Sequence, residues 1–383
     1  MAHFTPKSLI QQSGFGLSAA LLIFAYALCT VAVLGQGLEL VLFVCVACAV
    51  CSLLLKNEVF STNLYLIVPL FFVFTNASAF AGILSACLGG LIFLIISKLS
   101  NKPRLPVSVI AGGALGLSLA GTILLTNTYF GIGATGSTPF EMLQSYRSLG
   151  FHPHFMGLLT GTITLFTMIT YPFKFKKLNK YIPAEFITIL IPYIINLFLN
   201  PVKELTAINE TGFFNRLFTD FNLSSEFFSI SPSEITTIMQ SSFAIALILL
   251  GFSSCSQSDD AIPTAIGNIF SGLSVKKYDV RGYGIISCIV VILITTLTIT
   301  LFPHALARVP LHSVGAMLIV SGWQTLPYKK IGTVIKSKSL LNIIAMLICA
   351  ISFVLCNIFS ACIVCIICAF LLRRFERSGK SNG

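Results

Sequence analysis

Long, unbroken apolar runs constrain this chain more than any other feature. A full membrane crossing needs about 20 apolar residues. Twelve runs are candidates: Gly14–Leu34, Leu38–Leu55, Thr62–Thr75, Ala77–Ser97, Pro106–Thr126, Phe155–Tyr171, Pro183–Leu199, Ile235–Phe252, Tyr283–Phe302, Leu311–Trp323, Leu340–Leu355 and Ile358–Leu372. They are continuous rather than alternating, which excludes a β-barrel. Helices satisfy their own backbone groups in lipid, so the expected fold class is an all-α polytopic membrane protein. Only 10% of the 383 residues are charged and mean hydropathy is +0.92. A soluble domain carries about 25% charged residues. A soluble enzyme, a nucleic-acid binder and a disordered chain are thereby excluded, despite the net charge of +11.

The basic residues set the orientation. With the N-terminus inside, twenty Lys and Arg fall on inside segments, and four (Arg147, Lys203, Arg216 and Arg308) fall outside. This is the positive-inside pattern, with both termini cytoplasmic and the plasma membrane the expected location. It requires that Ala261–Ser274, broken by Pro263, Gly267 and Gly272, re-enter rather than cross. The expectation is therefore twelve full spans plus one re-entrant segment, all in a single transmembrane domain. Residues 14–199 form a first repeat, 200–234 an outside loop, 235–372 a second repeat and 373–383 a basic cytoplasmic tail.

Thr62–Thr75 carries Pro69 at its centre, so each half of the chain has one interrupted segment, the usual pointer to a transport site between repeats. Arg104-Leu105-Pro106-Val107 opens one span, and Arg308-Val309-Pro310-Leu311 opens another from the opposite side 204 residues later. Such a pair is what an inverted repeat gives. The twelve Cys, including Cys45, Cys48, Cys51, Cys362, Cys365 and Cys368, lie mostly in apolar runs without His or acid nearby. They read as small packing residues, not metal ligands. No cofactor is expected. No nucleophile–base pair appears, so enzyme activity is not expected either.

Leu306–Trp323, LARVPLHSVGAMLIVSGW, resembles the sulfate permease (SulP) family of anion transporters, in which a span opens on an Ile-Pro-Leu-like element and ends in Gly-Trp before a basic loop. Here Lys329-Lys330 supply that loop. Other elements follow in the family's order: Phe24-Ala25-Tyr26-Ala27, Pro103-Arg104-Leu105-Pro106-Val107, Ile182-Pro183-Ala184 and Gly267-Asn268-Ile269 with Gly272. The likeness runs from about Phe15 to Leu372 and is firmest in the last third.

The resemblance implies a seven-plus-seven inverted repeat, a fold that nucleobase permeases share. A small inorganic anion (sulfate, bicarbonate or chloride) would sit between the N-termini of the third and tenth half-helices, where helix dipoles and free N–H groups favour negative charge. Carried onto this chain, the candidate anion-binding residues are Tyr26, Ser61, Thr62, Asn63, Ser253 and Ser254. The departures are specific. Lys276-Lys277 follows Gly272 almost at once, where the family has its tenth half-helix. Leu22 stands in place of a Gln, and Ser253-Ser254 in place of an acid. No STAS domain is found after Leu372.

Two readings of function follow: a secondary transporter of small anions, or a degenerate relative serving as a membrane scaffold or partner subunit. A nucleobase permease ranks below both, because the acids of its eighth and tenth spans are missing. Glu185 lies near a cytoplasmic span end and His312 near an outside one, so no ionisable group is expected at mid-span. The expected partners are the anion, the lipid bilayer and a second copy in a homodimer, with no nucleic acid.

Overall fold

A computed structural model describes residues 6–54, 64–76, 79–99, 105–149, 155–179, 181–199, 231–253, 284–306, 308–324 and 326–381. The described residues are helical throughout apart from turns and connections. In chain order the helices are α1 (Pro6–Val33), α2 (Leu38–Leu54), α3 (Leu64–Asn76), α4 (Ala79–Leu99), α5 (Val107–Phe130), α6 (Pro139–Leu149), α7 (Phe155–Lys174), α8 (Lys176–Asn179), α9 (Ala184–Leu199), α10 (Pro232–Ser253), α11 (Ile285–Leu301), α12 (Pro303–Leu306), α13 (Leu311–Gln324), α14 (Tyr328–Lys336), α15 (Leu340–Leu355) and α16 (Ile358–Ser381). Each of the twelve apolar runs lies on one of these helices.

Among the described residues, four helical stretches are long and apolar enough to cross a membrane: Gln12–Val33, Val107–Phe130, Pro232–Gly251 and Ile358–Phe375. Five shorter apolar helices accompany them. Around the perimeter, Phe155, Phe166, Phe173, Phe198, Leu340 and Phe370 expose most of their surface. Water does not tolerate so large an apolar belt, whereas acyl chains do. The chain is a multi-pass helical membrane protein.

The helices pair by exchange. Swapping α1 with α10, α4 with α11, α5 with α13, α7 with α15 and α9 with α16 converts the packing of α1 on α11 into that of α10 on α4. It likewise converts α5 on α15 into α13 on α7, and α1 on α9 into α10 on α16. Among the more extensive packings of these ten helices, that of α5 on α7 has no counterpart of similar extent. α5 and α13 lie at the centre of this exchange and run antiparallel. His312, at the start of α13, meets the carbonyl of Thr128 near the end of α5 (3.2 Å), while Trp323 donates from the end of α13 to Thr122 Oγ1 (3.0 Å).

Close approach relies on glycine at matching places. A Cβ on Gly112 or Gly116 of α5 would strike the backbone of Met346 or Ala350 of α15. A Cβ on Gly157 of α7 would fall inside the His312 ring of α13, and one on Gly161 would crowd the His312 carbonyl. Both are Gly-x-x-x-Gly pairs, the spacing that lets apolar helices touch along one face.

The two ends differ in charge. Lys174, Lys176, Lys177, Lys329, Lys336, Lys338, Arg373 and Arg374 are all exposed at one end. Tyr171 there donates to the carbonyl of Ile182, joining the end of α7 to the approach to α9. Leu372 packs with Val109 and Ala345 near the starts of α5 and α15. The opposite end carries Arg147 and Arg308 among the described basic residues. The Cys residues sit as small apolar groups: Cys29, Cys45, Cys48, Cys288, Cys349, Cys362 and Cys368 are buried.

Candidate functional site

Two sets of helices meet along a seam, with α1, α3, α4, α10 and α11 on one side and α5, α7, α9, α13, α15 and α16 on the other. Three features lie on that seam.

The first is a cavity of about 340 Å³. Pro69, Phe72 and Val73 of α3, Thr237, Gln240 and Ser241 of α10, Asn357 just before α16, and Ser137 just before α6 all face it. Among the described residues the lining mixes amides and hydroxyls with apolar surface and holds no charged side chain. Asn357 caps α16: its Oδ1 accepts from the Ser360 N–H at 2.8 Å, so its amide nitrogen is the group still able to donate. Such a surface suits a small polar solute stabilised by neutral donors rather than by a fixed counter-charge.

The second lies farther along α10 and α16, toward the basic end. There Leu105, Val109, Leu117, Leu247, Ile248 and Phe353 enclose a gap of about 70 Å³ with an almost wholly apolar lining. An ion entering it would lose its hydration and gain no partner, at several kcal/mol. This apolar gap lies between the polar cavity and the basic end.

The third is a polar cluster in the core. Tyr26 of α1 is fully buried. Its hydroxyl donates to Glu185 Oε1 of α9 (3.3 Å) and lies 2.8 Å from Ser321 Oγ of α13. A phenol has one proton, so with Glu185 as its acceptor the Ser321 hydroxyl is the donor to Tyr26. Glu185 is 4% exposed. It sits in the first turn of α9, where the positive end of the helix favours a carboxylate. Asn179 Oδ1 accepts the N–H of the preceding Ala184 (2.8 Å), which fixes where that turn begins. The cluster spans the seam, with α1 on one side and α9 and α13 on the other.

Of the six residues expected from the sequence, Tyr26 is placed in this cluster and is not among those lining the 340 Å³ cavity. Ser61, Thr62, Asn63 and Ser254 lie outside the described residues, as do Ala261–Ser274, expected to be re-entrant, and the stretch where the tenth half-helix was expected to be lacking. Ser253 is the last residue of α10, and its side chain also lies outside the description. The helix that follows Asn63 is described from Leu64 and carries Pro69, Phe72 and Val73 into the cavity wall.

The sequence reading placed Glu185 only as an acid near a span end and passed over Ser321, Gln240, Ser241 and Asn357. Gln240-Ser241-Ser242 had a usable signal, being a polar triplet inside an apolar run. Glu185 had one as well, as an acid one residue into a span, but its position near the span end hid how deeply α1 and α13 bury it.

No family model matches the chain, and no curated protein matches it in sequence. Solved structures do match in fold. The transmembrane domain of a cyanobacterium bicarbonate transporter, BicA, is 15% identical, with a TM-score of 0.67, over 95% of this chain and 98% of that one. The murine Solute Carrier 26 family member A9 anion transporter, solved in its inward-facing state, is 13% identical, with a TM-score of 0.69, over 98% of this chain. A second structure of SLC26A9 gives 14% identity and a TM-score of 0.69 over 97% of this chain. This chain spans 70% and 66% of those two chains. At these identities the likeness establishes the fold: the chain is built like the membrane domains of these anion transporters.

Proposed function

We propose that this protein is a secondary transporter carrying a small inorganic anion of the sulfate, bicarbonate or chloride class across the membrane. The observation that carries the reading is the fold, shared over nearly the whole chain with a bicarbonate transporter's membrane domain and an anion transporter. In this reading the 340 Å³ cavity beside α3 and α10 is the route of entry, and the apolar gap beyond it is the barrier.

The finer architecture belongs to the same proposal. The exchange of helix pairings supports an inverted repeat, with residues 14–199 and 235–372 as its halves, 200–234 as the outside loop and 373–383 as the tail. Twelve spans and the re-entrant Ala261–Ser274 complete it. The cluster of exposed Lys and Arg at one end supports cytoplasmic placement of that end and of both termini. The plasma membrane and pairing with a second copy are part of the reading. The anion is held at the N-terminus of the helix that follows Asn63, by Ser61, Thr62 and Asn63, with Ser253 and Ser254 opposite and Tyr26 behind.

Without a fixed cation, a partly buried helix end supplies up to about 2 kcal/mol, and each hydroxyl about 1 kcal/mol. Less the cost of immobilising the ion, these terms give affinity on the order of millimolar at best.

The test is flux of sulfate, bicarbonate and chloride into reconstituted vesicles, with wild type and Thr62→Asp compared. Flux above that of empty liposomes, abolished by Thr62→Asp, is the expected result. No flux for any of the three anions transfers the function to the scaffold reading, which the short stretch between Gly272 and Tyr283 favours. Flux that survives Thr62→Asp keeps transport and moves the site.

A further inference from the structure

Helix α14 joins α13 to α15 at the basic end and shows three different faces. Ile331 and Val334 pack on Ala111 of α5 and on Ile343 and Met346 of α15. At about 100° per residue, side chains seven apart lie within about 20° of each other. Lys329 and Lys336 are such a pair; they point directly away from the packed face, and both are exposed. Tyr328 and Ile335 are a second pair, on the flank between, and are 59% and 56% exposed. Lys338 follows in a left-handed turn (φ 52°), also exposed.

A basic row beside an exposed aromatic and aliphatic flank has no rationale in water. It fits a helix lying at the bilayer surface, with the flank in the acyl boundary and the ammonium groups on phosphates. The aromatic ring is in the position that interfacial Tyr favours, its hydroxyl held by the Trp323 carbonyl at 2.8 Å. We infer that α14, through Lys329, Lys336 and Lys338, is a docking surface for the headgroups of anionic phospholipids. Charge complementarity and the apolar flank select a lipid surface, because a free phosphate would use the lysines and leave Tyr328 and Ile335 unsatisfied. The inference holds whether or not the chain transports.

The experiment uses the full purified chain in detergent, offered equal phosphatidylglycerol and phosphatidylcholine, with bound lipid counted by native mass spectrometry. Wild type retains phosphatidylglycerol preferentially. Each lysine near an anionic surface is worth about fivefold, so Lys329→Gln/Lys336→Gln/Lys338→Gln together lower that preference by about 100-fold. The comparison variant, Lys174→Gln/Lys176→Gln/Lys177→Gln, removes the same charge from the same end and lowers it far less. If the first triple variant does not fold, Lys329→Gln and Lys336→Gln singly each show the fivefold loss. An unchanged preference in the α14 variants overturns the proposal. So does an equal loss in the comparison variant, which would make total charge at that end the cause.

Discussion

Tyr26 and Glu185, 159 positions apart, share a buried hydrogen bond of 3.3 Å, and Ser321 lies 2.8 Å from the same Tyr26 hydroxyl. The bonds tie α1 to α9 and α13 across the seam along which both cavities lie. Any relative movement of the two helix sets has to break or carry this cluster.

Tyr26→Phe removes the group that serves both partners. The change takes one donor from buried Glu185 and the acceptor from Ser321, at about 1–3 kcal/mol. Ser321→Ala removes a donor from the same hydroxyl and costs about 1 kcal/mol. Thermal unfolding in detergent should show the double variant losing less than the sum, because the residues act as one network. Strictly additive losses would mean that they do not.

Gly157→Ala should be among the most damaging single-methyl changes in the chain. The new Cβ would fall inside the His312 ring, which also lies close against Gly131. Overpacking of this kind costs about 1–3 kcal/mol or more. Gly113→Ala meets nothing nearer than Phe353 Cε2 at 3.7 Å, and a helix gains up to about 1 kcal/mol from the exchange. If the two variants melt together, the cradle around His312 is not as described.

The start of α6 should respond to acid. Glu141 Oε2 accepts from the Ser137 hydroxyl (2.6 Å) and the Ser137 N–H (2.8 Å), while the Glu141 N–H returns a bond to Thr138 Oγ1 (3.2 Å). This reciprocal cap holds the Glu141 carboxyl below its ordinary value of 4.5, chiefly through the Ser137 hydroxyl. A lowered value means that the cap's contribution is fully present above pH 4.5 and is lost as pH falls through the folded value. Hydrogen exchange at the α6 N-terminus should quicken there, and Glu141→Gln should remove the pH dependence. Identical profiles for both proteins would rule out this carboxylate as its source.

How much of this was legible beforehand depended on range. Apolar runs report local structure, and each of the twelve falls on a helix; Leu38–Leu55, for example, is matched by α2 to within one residue. The likeness of the elements opening at Arg104 and Arg308 pointed to α5 and α13, which run antiparallel at the centre of the exchange. The Tyr26 cluster was not legible, because its members are up to 295 positions apart and packing alone decides that they meet. Helix α14 was read only as a basic loop. Its nine residues are too few and too polar for a span, and its amphipathic order emerges only when it is wound as a helix.

Access to the 340 Å³ cavity should be one-sided. In a cysteine-free background, Gln240→Cys and Arg308→Cys should react with an impermeant maleimide from the same side of the membrane, and Lys336→Cys from the other. Reaction of Gln240→Cys from the Lys336 side would mean that the apolar barrier does not close the path there.

Trp323 is the only tryptophan in the chain, and its indole N–H is bonded to Thr122 of α5. Excited at wavelengths that the ten tyrosines do not absorb, the unmodified protein therefore emits from one place, the join of α5 and α13, about which the helix pairings exchange. A shift in its wavelength when a candidate anion is added would report a change at that join without a label or a variant.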